Sequence, residues 1–79
     1  ARIGRQLGHA GAKGSTNAPW QDDGADRPLR LGNWPLISAS AVPYLDDGAL
    51  PRAMSRTDMD RVRDDFVAAA RRAADAGFD

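Results

Sequence analysis

Residues 55 to 76 carry the pattern that most limits how this chain can fold. Met59, Val62, Phe66, Ala69, Ala70 and Ala73 recur at three- and four-residue spacing, which places them on one stripe of an α-helix. Ser55 is a good N-cap and Asp58 stands three residues on, the arrangement of a capping box. Asp58 and Asp60 suit the positive end of the helix dipole, Arg71 and Arg72 lie toward its C-terminus, and Gly77 is placed to cap it. An apolar stripe has to be buried against something, and its small alanines would let the helix sit close against a sheet.

The other regular pattern lies at residues 2 to 8, read as a strand. Arg2, Gly4, Gln6 and Gly8 share one face, with Ile3, Arg5 and Leu7 on the other. Gln6 therefore points away from Leu7 near the strand's C-terminal end. After the helix, Phe78-Asp79 reads as the start of another strand. Strand, loop, helix and strand start make a βαβ unit, the building block of parallel α/β sheets. The chain opens inside one strand and stops where another should begin. It is therefore expected to be one piece of a larger α/β protein, with no complete domain: strand about 2–8, loop about 9–54, helix about 55–76.

Composition agrees with that expectation. A domain of 79 residues buries only roughly 60–65% of the surface its unfolded chain exposes. There is no Cys for a disulfide or a zinc cluster, and the lone His9 makes no metal site by itself, so no metal is expected. Formal net charge is zero, which gives no electrostatic footprint for nucleic acid or an anionic membrane. No apolar run approaches the ~20 residues that span a bilayer, and no signal-peptide pattern is present. A cytoplasmic location is expected.

Residues 9 to 35 are rich in Gly, Pro, Asn, Asp and Ser and read as a long loop. Loops this long are uncommon unless they carry function. Within the rest of the connection, Leu36 to Leu45 has room for a short strand or hairpin, which Pro43 restricts to an edge, and Asp46-Asp47-Gly48 is a turn.

Gly8-His9-Ala10-Gly11-Ala12-Lys13-Gly14-Ser15 invites comparison with a nucleotide phosphate loop. That loop needs Gly-Lys-Ser/Thr in order after four spacer residues. Here Lys13 precedes Gly14 and no helix pattern follows. His9 could do acid–base work, but the sequence places no second His, no Cys and no carboxylate near it, so a structural role is the better reading. Gln6 offers one acceptor and two donors on a planar amide. It could read a planar heterocycle or satisfy a neighbour inside a barrel, and its position alone leaves the two even. Trp20, Trp34 and Tyr44 sit beside Asp22, Asp23 and Asp26, so loop packing is favoured over single-stranded nucleic-acid binding. The Asp and Arg residues of the helix read as its solvated face.

Gln6-Leu7-Gly8-His9-Ala10-Gly11 followed by Lys13 resembles the Gln-Leu-x-His-Ala-Gly-Arg-Lys signature of the old yellow enzyme family of NADH:flavin oxidoreductases. Pro51-Arg52-Ala53-Met54-Ser55, Asp58-Met59, Val62, Phe66, Ala69 to Ala73 and Ala76-Gly77-Phe78-Asp79 resemble the family's helix before its next strand. Ser38-Ala39-Ser40-Ala41-Val42 sits where the family has Ala-Pro-Ser-Ala-Ile.

The resemblance covers nearly the whole chain and implies a fragment of a (β/α)8 TIM barrel that binds FMN. Active faces of such barrels are built by the loops at strand C-termini. The implied activity passes hydride from NAD(P)H through FMN to an activated alkene or related small-molecule acceptor. Gln6 matches the glutamine that bonds the pyrimidine edge of the flavin. The family's substrate-anchoring pair, His-x-x-His or His-x-x-Asn, lies on the following strand, so no catalytic residue is expected within these 79 residues. The rest of the parent barrel is the expected partner, oligomerisation is compatible with it, and the piece alone is expected to neither bind FMN nor fold cooperatively.

Two positions depart from the pattern: Ala12 replaces the signature Arg and Ala39 the usual Pro. Residues 32 to 45 look more like the reductase half of salicylyl-CoA hydroxylases and anthraniloyl-CoA monooxygenases. A rival reading is a non-catalytic interaction module that docks through its amphipathic helix. A third is a flavin-binding barrel that has lost catalysis, for which Ala12 is the hint.

Overall fold

The computed structural model describes residues 1–21 and 24–79, so Asp22 and Asp23, two of the carboxylates read beside Trp20, lie outside the described residues. The chain divides into two compact units, one of Ala1–His9 with Ser55–Asp79 and one of Ala10–Met54.

In the first unit a single helix, α1, spans Arg56–Asp75. Its start is a complete capping box. Ser55 Oγ accepts from the Asp58 backbone N–H at 3.1 Å, and Asp58 Oδ2 accepts from the Ser55 N–H at 2.8 Å. Asp58 is buried by this arrangement. Two N–H groups that no helical carbonyl could reach are thereby satisfied. The other end closes in a Schellman motif. Phe78 donates its N–H to Ala73 O at 3.1 Å, and Gly77 donates to Ala74 O at 3.0 Å. The reversal needs the left-handed backbone that Gly77 adopts, at φ +95°. Val62, Phe66, Ala69 and Ala73 of the expected stripe are half-buried, whereas Met59 and Ala70 are exposed. Outside the stripe Arg56 pairs with Asp60 at 3.1 Å and Arg63 with Asp64 at 3.1 Å, both at the surface.

The strand expected at residues 2–8 does not form. Every residue from 1 to 10 is exposed, and one rung of pairing is present: the Asp79 N–H donates to Ile3 O at 2.9 Å. Asp79 Oδ2 accepts the Ile3 N–H at 2.7 Å. A strand is defined by its neighbours, and one rung at Ile3 leaves residues 4–8 without a ladder.

The second unit holds what was read as one long loop. A turn of 3-10 helix covers Gly11–Lys13. Strand β1 is Ile37–Ser38 and β2 is Arg52–Ala53. They pair in parallel, Ile37 against Arg52 and Ser38 against Ala53, so of the short strand or hairpin for which 36–45 has room the short strand forms, and a crossover leads to its partner. Residues 39–51 give the dozen or so positions a parallel return requires. The Arg52 N–H donates to Leu36 O and the Met54 N–H to Ser38 O, both at 2.9 Å. Gly48 closes the expected turn by donating to Leu45 O at 2.8 Å. Thr16 bridges Pro28 in antiparallel sense. The small core lies here: Leu36 and Pro51 are buried, and a Cβ on Gly14 would come within 3.1 Å of Leu36 Cδ2.

Candidate functional site

The stretch from Gln6 to Ser15 passes from the first unit to the second between His9 and Ala10. Gln6 and His9 are exposed. The Gln6 amide has no hydrogen-bond partner among the described residues. Its two donors and one acceptor therefore face solvent on the protein's most chemically suggestive segment. In the same unit Leu7, Arg5, Phe78, Ala69, Arg72 and Ala73 line an open groove of about 310 Å³, with the Arg5 guanidinium 5.8 Å from the centre of the Phe78 ring.

The glycine-rich stretch beyond His9 is a closed turn and not an anion cradle. Lys13 donates its N–H to Ala10 O at 3.1 Å, and Gly14 donates to Gly11 O at 3.2 Å, so both amides are used within the turn. Thr16 Oγ1 donates to Lys13 O at 3.1 Å. The Lys13 ammonium stands 4.6 Å from the centre of the Tyr44 ring, a cation–π contact. Ala12 lines a small apolar cavity with Leu36, Tyr44 and Leu45. The side chain that departs from the family signature thus borders the unit's packing.

Ser15 was not singled out from sequence, yet it ties together distant parts of this unit. It is buried, its backbone is left-handed at φ +55°, and its hydroxyl works in both directions. Ser15 Oγ donates to Asn33 Oδ1 and accepts the Trp34 N–H, each at 3.2 Å, while Ser15 O accepts the Leu29 N–H at 3.0 Å. A hydroxyl that is donor and acceptor at once can hold two chain segments, and a serine in a Gly-rich run gives no sequence signal for that. Arg27 and Asp47 form a second clasp: Nη1 reaches Oδ1 at 2.7 Å and Nη2 reaches Oδ2 at 3.0 Å. The hydrogen bond from Arg27, and then its charge, lowers the Asp47 carboxyl below its ordinary value.

Of the loop aromatics, Tyr44 packs against Lys13 and Trp34 is held through its backbone, but Trp20 is 85% exposed. Loop packing is therefore not its role. Among the described residues no group of three or more His, Cys, Asp or Glu side chains is placed to hold a metal ion, and no helix is long and apolar enough to cross a membrane.

No family model matches the chain. Individual proteins do. An NADH:flavin oxidoreductase of Gibberella zeae is 38% identical over 81 aligned residues, which cover 99% of this chain and 20% of that protein. An NADPH dehydrogenase of a Geobacillus species is 34% identical over 79 residues, covering 100% of this chain and 18% of that protein. An aldehyde reductase of Cladobotryum is 40% identical over 62 residues, covering 76% of this chain and 16% of that protein. The chain thus spans about one-fifth of the length of the curated relatives it matches. By sequence it belongs with the NADH:flavin oxidoreductases and NADPH dehydrogenases of the old yellow enzyme family, as a stretch equivalent to one-fifth of those proteins.

Proposed function

We propose that the chain forms one arm of an FMN-binding (β/α)8 barrel that works as an NAD(P)H-dependent oxidoreductase in the cytoplasm. The observation that carries this reading is the end-to-end match, 99% of the chain at 38% identity, to a protein named NADH:flavin oxidoreductase. Bound FMN would supply the redox chemistry, accepting hydride from NAD(P)H and delivering it to an activated alkene or related small-molecule acceptor.

The chain's own contribution would be to hold the cofactor. A flavin's pyrimidine edge alternates carbonyl acceptors with an N–H donor, and a planar amide complements it with Nε2 donating and Oε1 accepting. Gln6 fits this role in three respects: it has the right donor set, it is exposed, and no described residue competes for its amide. In an FMN complex it would orient the isoalloxazine and take no proton. The proton-donating and substrate-anchoring groups would come from other arms of the barrel. The exposed faces of α1 and of residues 2–8 would be covered by those neighbouring arms.

The test is Gln6→Leu in the full-length protein, read by quenching of flavin fluorescence on titration with FMN. Losing one or two hydrogen bonds should weaken FMN binding by roughly tenfold, the equivalent of about 1.4 kcal/mol. Unchanged affinity in a protein that still reduces its flavin with NAD(P)H would remove Gln6 from the cofactor site. A full-length protein that binds no flavin would remove the reading altogether.

A further inference from the structure

We draw no further inference here: the strongest candidate, the open groove that Leu7, Ala69, Ala73 and Phe78 line beside Arg5 and Arg72 in the helical unit, is an unpartnered apolar face, and nothing in the structure shows what covers it.

Discussion

The two units of this chain reach order by different physical routes. In the helical unit, α1 closes its own ends with its own residues, through the Ser55–Asp58 capping box and the Gly77 turn. No apolar side chain of that unit is fully buried among the described residues; the buried residue is Asp58. In the unit of residues 10–54 the local structure amounts to short turns, and long-range bonds join them. Its strands are two residues long, yet it encloses Leu36, Pro51 and Ser15, and it is tied by bonds between residues 15 and 33, 17 and 27, 27 and 47, and 36 and 52. One unit has regular structure without a core. The other has a core with very little regular structure. Periodicity reports where a helix forms, and burial reports where the chain resists opening, and here the two fall on different residues.

If that division is right, the largest effect should follow from Leu36→Ala. Leu36 is the buried hydrophobic side chain of the core, and truncating such a leucine costs about 2–3 kcal/mol. In the full-length protein, hydrogen exchange should accelerate at the Arg52 and Met54 amides, which pair with the strand that Leu36 precedes. The α1 amides should keep their protection. Equal loss in both units would show that they open as one and break the comparison.

Ser15 sharpens it by separating two energies at one residue. Ser15→Ala removes a buried hydroxyl that bonds Asn33 and Trp34 and keeps the unfavourable left-handed backbone, for a cost of about 1–3 kcal/mol. Ser15→Gly removes the same hydroxyl but relieves a left-handed penalty of about 1 kcal/mol. Thermal unfolding should therefore rank wild type above Ser15→Gly and Ser15→Gly above Ser15→Ala. The reverse order of the two variants would mean that the φ of +55° carries no strain.

Much of the first unit was legible because its signals are short-range. Ser55, Asp58 and Gly77 act on backbone within a few residues, so sequence spacing alone describes them. The 2–8 strand was misread because alternation specifies faces but not neighbours, and here Ile3 finds one rung with Asp79. The short strand within 36–45 was legible as one of two alternatives, but its parallel pairing with β2 was not, because nothing in Leu36–Leu45 signals that the partner lies beyond the Gly48 turn. The candidate site was legible only in part. From its residues Gln6 stood level between a structural amide and a cofactor contact, and the resemblance alone inclined that balance. Ser15 and the Arg27–Asp47 clasp left no trace, since a hydroxyl or an ion pair joining residues some twenty positions apart has no spacing rule.

A smaller effect belongs to the helix end. Ser55→Ala removes the side-chain half of the capping box, so about 1 kcal/mol of helix stability should go with it. The α1 amides near Met59 should exchange faster while those at Arg52 and Met54 hold. Ser55→Asp keeps an acceptor at the cap and should restore most of the protection. Failure of that rescue would place the loss in packing and not in the cap.

The smallest effect is pH-dependent and confined to the second unit. Arg27 lowers the Asp47 carboxyl below its ordinary 3.8, and such a group favours the folded form only while it is ionised. Its contribution is therefore complete above pH 3.8, where the carboxylate is charged in both folded and unfolded chains. As pH falls below that value the unfolded chain takes up the proton first, and the contribution shrinks until the folded carboxyl also protonates. Because the Asp47 side chain is 72% exposed, salt should screen most of what remains. Asp47→Asn should flatten the difference in amide exchange at Asn17, whose N–H bonds Arg27 O, between neutral pH and pH 3, and leave the neutral-pH protection of α1 unchanged. An acid dependence that survives the substitution would take it away from the Arg27–Asp47 pair.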